Sequence, residues 1–300
     1  MKFFKLKKKI KIIELLTYLI ILSNCKMVLM NPKGLISSEQ KEIIIFSLFL
    51  LLLIIIPVIL MTIIFSIKYN ENNKKSIYKP DWDYSAKIEI ICWVIPVIII
   101  SLLSFIAWKS THKLDPYIEL NNIKSKNNPI TIQVISSDWK WIFIYPEYNI
   151  ATINEISFPV DVPINFRITS ASVMNSFFIP ALGGQIYSMA GMQTKLHLMA
   201  DTIGVYKGFS SSYSGHGFSN MKFKVIVCNN EDYYKWIKNV QHSSRKIDKM
   251  ESFNKILKEN NHNYYTMHFS YFSPNIYKDL ILSFAHHHHK KDNQIKNNNH

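Results

Sequence analysis

The chain has 300 residues, 48% of them hydrophobic, and a formal net charge of +14 at pH 7. This length allows about two domains, and the hydrophobic residues are concentrated in two long uncharged runs rather than spread evenly. Clustered basic residues are typical of nucleic-acid-binding surfaces, but here six lysines fall within residues 1–24 and the others are scattered, which argues against a nucleic-acid partner.

The amino-terminal segment has the features of a signal peptide. A lysine-rich start is followed by the short apolar stretch Ile12–Leu22, which is too short to span a membrane. It ends in Leu22-Ser23-Asn24-Cys25, which resembles a lipobox, so residues 1–24 are predicted to be a lipoprotein-type signal and Cys25 the lipidation site. Asn24 departs from the Gly, Ala or Ser usual at that position, and an uncleaved apolar amino terminus remains the alternative.

Two uncharged runs, Ile43–Ile67 and Ile90–Trp108, predict membrane helices. At ~1.5 Å per residue the first exceeds a ~30 Å hydrocarbon core and the second nearly matches it. We predict spans at 43–67 and 88–108. The intervening loop, 68–87, carries five lysines near the helix ends, as cytoplasmic loops do. Residues 25–42 and the chain from Lys109 onward are then predicted to lie outside.

Short runs of alternating polarity follow Pro129 and predict strands. In the last run, Met221–Val227, the odd-numbered apolar residues share one face while Lys222 and Lys224 lie on the other. Runs at this spacing predict a sandwich or a barrel. The predicted strands are Ile130–Ile135, Trp141–Tyr145, Ile164–Thr169, Thr194–Met199 and Met221–Val227.

The carboxyl-terminal part becomes helical and then loses order. Glu231–Val240 and Met250–Lys258 are amphipathic, so residues 229–284 are predicted to form a helical segment. Residues 285–300, with the run His286–His289, cannot bury a core and are predicted to be disordered. Cys25, Cys92 and Cys228 lie in three different settings, which does not indicate a disulfide framework.

Four motifs point to a known family. They are Asn31-Pro32-Lys33-Gly34, Asp138-Trp139-Lys140-Trp141, Ser172-Val173-Met174-Asn175-Ser176-Phe177-Phe178-Ile179-Pro180 and Met189-Ala190-Gly191-Met192-Gln193-Thr194. With them the chain, up to residue 284, resembles subunit II of the haem-copper respiratory oxidases, and especially the cytochrome o (bo-type) ubiquinol oxidase branch.

The resemblance implies a fold, a location and partners. The fold is a two-helix transmembrane hairpin with an all-β, Greek-key, cupredoxin-like sandwich at 109–228 and short carboxyl-terminal helices. The location is the bacterial inner membrane, with the sandwich in the periplasm and a lipid anchor. The partners are oxidase subunit I, smaller membrane subunits and membrane lipid, but not cytochrome c. Haems and copper are expected in subunit I, and ubiquinol is the substrate of the complex.

The resemblance also locates a copper loop that has lost its ligands. Relatives that oxidise cytochrome c carry the pattern C-x-E-x-C-x3-H-x2-M, whose thiolates and imidazole suit copper. Laid on Gly208–Met221, this pattern retains Met221 alone. The vacated ligand positions are Asn175, for the upstream histidine, and Ser210, Ser212, Ser214 and Phe218. We therefore expect no metal or redox cofactor bound by this chain.

Other candidate ligands receive structural interpretations. His216 lies inside the old loop but two residues from the ligand position, and is interpreted as an exposed loop histidine. His197 alternates outward with Lys195 and is predicted to lie on the surface. His286–His289 could bind a metal adventitiously, without a fixed geometry. Trp139 and Trp141 are predicted to pack within the sandwich or against subunit I.

Glu89 is the sharpest functional hypothesis, because an ionisable residue at the start of a membrane helix is costly. It precedes the W-x-x-P of Trp93–Pro96. In the ubiquinol oxidase family, the glutamate at this place lies at the entrance of a proton pathway into subunit I. The alternative is an interfacial carboxylate paired with Lys87 or with a partner.

The leading function is a non-redox subunit II of a proton-pumping terminal ubiquinol oxidase. Such an enzyme reduces oxygen to water in the aerobic respiratory chain, and this chain would stabilise subunit I and contribute to proton uptake. The alternatives are a membrane-tethered cupredoxin-like binding lipoprotein, a degenerate cytochrome c oxidase subunit II and an independent cupredoxin electron carrier. The missing cysteines disfavour the last two.

Overall fold

A computed structural model describes residues 27–70, 73, 81, 83–120, 128–258 and 265–284. The predicted signal peptide with Cys25, half of the predicted cytoplasmic loop, and the tail with His286–His289 lie outside these residues.

The two apolar runs form two long helices, α1 (Leu35–Lys68) and α2 (Ala86–Lys113). Both are long and apolar enough to cross a membrane, by length and composition. Each contains the corresponding predicted span and extends beyond it toward the β-domain. At ~1.5 Å per residue α1 is about 51 Å long, well over the hydrocarbon thickness. The antiparallel helices are joined at their β-domain ends by an ion pair, Lys113 Nζ to Glu39 Oε2, at 2.6 Å.

The β-domain is a sandwich of two sheets. The six-stranded sheet has the order β12-β3-β2-β1-β5-β8, where β12 is Met267–Phe269, and the five-stranded sheet has the order β4-β10-β9-β6-β7. The β1–β5 and β4–β10 pairs are parallel, whereas the other pairs within these two sheets are antiparallel. The strands of the sandwich up to Cys228 are β1 (Ile130–Ser137), β2 (Lys140–Tyr145), β3 (Ile150–Ile153), β4 (Glu155–Pro159), β5 (Ile164–Ser170), β6 (Asn175–Phe178), β7 (Ile186–Ser188), β8 (Thr194–Leu198), β9 (Gly204–Ser210) and β10 (Lys222–Cys228).

Aromatic side chains fill the space between the two sheets. Phe177 of β6 stacks on Phe223 of β10 with ring centroids 5.1 Å apart, and the Trp141 ring meets Phe177 edge-on at 5.3 Å. Offset and edge-on arrangements of this kind stabilise beyond simple area burial. The packing predicted for Trp141 within the sandwich is confirmed, since its side chain is wholly buried.

The carboxyl-terminal segment covers the outer face of the six-stranded sheet. Ile142 and Ile144 point to that face and pack in a second core with residues such as Phe253 and Phe272. Strand β2 is therefore buried on both faces, which is why its sequence is a continuous apolar run rather than an alternating one. The segment consists of α3 (Asn230–Gln241), β11 (Lys246–Ile247), α4 (Met250–Lys258), β12 (Met267–Phe269), β13 (Tyr271–Phe272) and a helical stretch at 275–284.

The predicted fold class is confirmed: two apolar helices near the amino terminus, then a cupredoxin-like β-domain with short carboxyl-terminal helices. Three short strands also lie in the carboxyl-terminal segment, where the sequence indicated helices. Strands of two or three residues carry no readable period, and β12 forms because the edge of β3 offers it unpaired backbone groups.

The membrane hairpin is fixed to the sandwich by backbone and side-chain hydrogen bonds at the start of α1. The buried Ser37 hydroxyl donates to the Ala181 carbonyl at 2.8 Å, and the Lys33 amide donates to the same oxygen. Gly34 lies so close to β8 that an added Cβ would be 2.6 Å from the Met199 carbonyl oxygen. The motif Asn31-Pro32-Lys33-Gly34 is therefore the joint between hairpin and sandwich.

Candidate functional sites

The vacated loop, the segment Gly208–Met221 that the resemblance predicts to have lost its copper ligands, is held by hydrogen bonds among polar side chains, including Asn175. Asn175 begins β6 and Ser210 ends β9, and both are buried. The Ser210 hydroxyl lies 3.3 Å from Asn175 Oδ1 and 3.1 Å from the Ser212 carbonyl oxygen, and it accepts from the Ser176 amide at 3.3 Å. Asn175 Nδ2 donates to the Val173 carbonyl. An amide and a hydroxyl thus satisfy each other at these positions.

The second half of the loop surrounds Met221. Its side chain is wholly buried, and its sulfur lies 3.9 Å from the Ser214 hydroxyl oxygen. Phe218 lies in a 3-10 turn with its ring 5.6 Å from that of Tyr213. The structure therefore joins Asn175 with Ser210, and Ser214 with Met221. His216 is exposed, as predicted.

The side chains at these positions do not fit a binuclear copper centre. Such a centre needs two bridging thiolates and imidazoles, whereas here the donors are hydroxyls, one amide and one thioether. Moreover, the Asn175 amide and the Ser210 hydroxyl are already engaged with each other. These residues therefore do not provide the ligands of a binuclear copper centre.

Trp139 covers this loop from the β1–β2 turn. Its backbone has a positive φ of 59°, which is uncommon for a tryptophan. A Cβ added at Gly217 would come within 2.3 Å of the Trp139 ring, so glycine is required for the ring to lie there. The Trp139 ring therefore packs against the vacated loop.

The surface prediction for His197 is wrong. Its side chain does point away from the inter-sheet core, as alternation along β8 predicts, but the residue is 5% exposed. The chain that leaves α2 lies over this face, and His197 Nδ1 is 2.8 Å from the Pro116 carbonyl oxygen. Alternation gave the correct face of the strand and carried no information on what covers that face.

Glu89 lies in the first turn of α2, at the end of the hairpin opposite the sandwich. Its side chain is exposed and accepts a hydrogen bond from the Tyr84 hydroxyl, which raises the pKa of Tyr84 above its ordinary value. Together with Asp83, Ser85 and Ile88 these two residues line a shallow hollow. In the part of the chain that the structure describes, Glu89 forms no ion pair with Lys87.

Sequence reasoning missed a buried ionic cluster around Glu155 of β4. Glu155 Oε1 accepts from Trp236 Nε1 at 3.1 Å and lies 3.0 Å from His268 Nε2, and Lys224 Nζ is 3.9 Å from Oε2. The hydrogen bond from His268 lowers the pKa of Glu155, against the opposing effect of burial. These partners lie far along the chain from Glu155, so no local pattern could reveal them.

A membrane hairpin that carries a cupredoxin-like sandwich with a ligand-depleted copper loop defines a class: membrane-anchored subunits built on the oxidase subunit II plan. The family described as "Cytochrome C oxidase subunit II, periplasmic domain" matches residues 147–228. Among solved structures, the periplasmic domain of subunit II of cytochrome oxidase (CoxB) of Bradyrhizobium japonicum matches at 22% identity and a TM-score of 0.36, covering 37% of this chain and 91% of that one.

Closer relatives place the chain within that class. Cytochrome bo(3) ubiquinol oxidase subunit 2 of Pseudomonas aeruginosa is 46% identical, covering 89% of this chain and 80% of the relative. The same subunit of Buchnera aphidicola subsp. Schizaphis graminum is 51% identical, covering 87% and 89%. Ubiquinol oxidase subunit 2 of Acetobacter aceti is 43% identical, covering 76% and 74%. The chain therefore belongs to the ubiquinol oxidase subunit 2 family of the haem-copper oxidases, which favours this function over the alternatives raised above.

Proposed function

We propose that this chain is the non-redox subunit II of a proton-pumping enzyme that oxidises ubiquinol and reduces oxygen to water. Haems and copper would reside in subunit I, and cytochrome c would not be a partner. The observation that carries the proposal is the site where relatives that oxidise cytochrome c hold copper. Here that site contains a hydrogen-bonded amide and hydroxyl and a buried thioether, which supports a sandwich that takes no part in electron transfer.

In this proposal the hairpin holds subunit I, smaller membrane subunits and lipid. Both helices expose apolar side chains along most of their length, which suits them to such neighbours. The described ends of the lysine-rich segment 68–87, Lys68 of α1 and Lys87 of α2, lie at the end of the hairpin opposite the sandwich. The positive-inside rule then supports a periplasmic sandwich and an inner-membrane location. Lipidation at Cys25 would add a second anchor, and mass spectrometry of the mature amino terminus tests it.

Glu89 would serve proton uptake at the cytoplasmic end. It lies about 36 Å along α2 from Lys113, at ~1.5 Å per residue, so it is far from the sandwich. Its carboxylate is reachable from water, and the amino-terminal end of a helix favours an anion. A carboxylate in this position can receive protons from the cytoplasm and pass them to a pathway in subunit I.

The decisive test is purification of the chain from native membranes with an optical spectrum, a metal count and two activities. We expect haem absorbance and ubiquinol oxidase activity to accompany the chain, with no oxidation of cytochrome c. The copper count of the purified complex should equal the copper that subunit I alone is expected to hold. A chain that purifies without haem or quinol oxidation would contradict the proposal.

Proton uptake is tested separately by Glu89→Gln in the assembled enzyme. We expect slower turnover at an unchanged haem content, with activity largely kept in Glu89→Asp. Asp83→Asn is the matched control, because it removes a neighbouring carboxylate of the same hollow and should leave turnover unchanged. Full turnover in Glu89→Gln, or an equal loss in Asp83→Asn, would remove the role.

A further inference from the structure

A cavity of about 220 Å³ lies where the membrane hairpin meets the sandwich. One wall is the first turns of α1, including Ile36 and Gln40. A second wall is the chain that leaves α2, from Lys113 to Leu120, and the third includes Leu196 and His197 of β8. A single water occupies about 30 Å³ in the liquid, so the cavity is large enough for a ligand with several heavy atoms.

The cavity lies at the depth of lipid headgroups. Gln40 precedes the apolar run that begins at Ile43 by about 4.5 Å of helix rise, and Lys113 follows Trp108 by about 7.5 Å. The headgroup layer extends about 5–8 Å beyond the hydrocarbon on each side of a bilayer. Whatever occupies the cavity is therefore exposed to headgroups rather than to acyl chains or bulk water.

His197 presents a hydrogen-bond acceptor to this cavity. Its Nδ1 is bonded to the Pro116 carbonyl oxygen, which can only accept, so Nδ1 carries the proton. In the neutral ring Nε2 then has a free lone pair. Within the described residues Nε2 has no hydrogen-bond partner, although the side chain is 95% buried and lines the cavity. The Nε2 lone pair can accept a hydrogen bond from a ligand that carries an N–H or O–H group.

The charges around the cavity are of both signs. Lys113 supplies an ammonium group, which is also paired with the Glu39 carboxylate at 2.6 Å, and Asp115 supplies a second carboxylate. The remaining lining residues include the aliphatic Ile36, Leu120 and Leu196. One ammonium group shared with Glu39, the Asp115 carboxylate and an imidazole acceptor complement a zwitterion with an ammonium group better than a simple anion. The aliphatic lining suits the glycerol and the first methylenes of a lipid.

We propose that this cavity binds the headgroup of a phospholipid with a primary ammonium group, of the phosphoethanolamine type. The phosphate lies toward Lys113, and the ammonium donates to His197 Nε2 and to Asp115. A choline headgroup has the same charges but no N–H donor, and a glycerol headgroup has no cation. The site is therefore selective for phosphoethanolamine lipid over both, independently of the electron chemistry of the complex.

The test uses the intact complex extracted in a mild detergent, with bound lipids counted by native mass spectrometry after exchange against defined lipids. We expect wild type to retain one more phosphatidylethanolamine than the double variant Lys113→Gln/His197→Asn. Asparagine can still donate to Pro116 but lacks the imidazole acceptor. The matched control Lys109→Gln/His112→Asn changes the same residue types on α2 outside the cavity lining and should retain the lipid.

Selectivity is measured on the wild type, so that the test survives a variant that fails to assemble. The complex is loaded with deuterated phosphatidylethanolamine and then competed with unlabelled lipids. Displacement should require at least tenfold more phosphatidylcholine or phosphatidylglycerol than phosphatidylethanolamine. Free phosphoethanolamine should not displace it. Equal displacement by the three lipids, or equal lipid counts in wild type and an assembled cavity variant, would overturn the proposal.

Discussion

Glu155 ties the carboxyl-terminal segment to the sandwich. Its carboxylate lies in β4, while its partners come from β10 (Lys224), α3 (Trp236) and β12 (His268). The side chain is 12% exposed, so its charge has little contact with water. A buried carboxylate of this kind stabilises only while its partners remain in place, because an unpaired buried charge is strongly unfavourable.

The lowered pKa of Glu155 fixes the sign of its pH dependence. Above its ordinary value of 4.5 the paired carboxylate stabilises the folded state, and this contribution is lost as the pH falls through the lower folded pKa. Glu155→Gln should cost about 1.5–3 kcal/mol at pH 7, the range for hydrogen bonds to charged groups. Hydrogen exchange in the α3 and β12 peptides measures the loss.

The comparison that decides this prediction is the difference between variant and wild type across pH. The difference in stability should be constant above pH 4.5 and should disappear as the pH falls below the folded pKa of Glu155. Glu147→Gln removes an exposed carboxylate from the same domain and should change nothing. A difference that persists at low pH would mean that Glu155 stabilises by packing rather than by charge.

Ser210→Ala tests whether the vacated loop is purely structural. The change leaves Asn175 Oδ1 and the Ser176 amide without this partner in a buried setting, which costs about 1–3 kcal/mol. We expect a lower thermal midpoint of the complex with unchanged quinol turnover per haem. Ser219→Ala, at an exposed position of the same loop, is the control. Lost turnover at normal stability would instead assign the loop a functional role.

Single residues were predictable where a motif fixed their position. The loop pattern drew attention to Ser210 and Asn175, which lie in contact in the structure, and the start of an apolar run drew attention to Glu89, whose role stays a prediction. Their partners were not predictable, since Ser210 meets Asn175 across 35 residues and Glu155 meets His268 across 113. Such contacts depend on strand order, which the alternation of side chains does not encode.

At the scale of elements, the start of α1 is where the hairpin is attached to the sandwich. Its backbone bonds both the Ala181–Leu182 segment and Met199, so two separate parts of the sandwich hold one helix end. Gly34 permits this because its extended backbone lies against the Met199 carbonyl without an intervening side chain. The joint therefore sets the angle at which the hairpin leaves the sandwich.

Gly34→Ala should loosen this joint. The new methyl group would lie 2.6 Å from a backbone oxygen, and relief of such overpacking typically costs about 1–3 kcal/mol. We expect faster hydrogen exchange at residues 33–38 and a lower thermal midpoint. Gly204→Ala is the control, because its nearest neighbour is the Tyr206 side chain at 3.0 Å, which can move. Unchanged exchange at 33–38 would show that the joint tolerates a side chain.

Elements were predictable in proportion to their length and to the contrast between their faces. The two long helices were predicted from the length of their uncharged runs, and strands such as β10 from their clear alternation. The strands β3, β4, β6, β7 and β9 were missed. They are short, or interrupted by glycine as in Gly204–Ser210, and they are held by neighbouring strands rather than by their own pattern.

On the scale of the whole molecule, the two functions proposed here lie at opposite ends of the hairpin. Glu89 is at the end that carries the lysine-rich loop, whereas the headgroup cavity and the sandwich are at the other. This separation requires that α1 and α2 both cross the membrane. It also requires the loop to face the cytoplasm, since proton uptake and the periplasmic sandwich depend on the same orientation.

Cysteine labelling in intact cells tests this orientation directly. In a background in which Cys25, Cys92 and Cys228 are replaced by serine, Ser219→Cys should react with a membrane-impermeant maleimide once the outer envelope is opened, because it lies exposed on the sandwich. Asp83→Cys, exposed before α2, should react only after the inner membrane is permeabilised. If both cysteines react from the same side, the two helices do not form a membrane-crossing hairpin, and Glu89 loses its access to cytoplasmic protons.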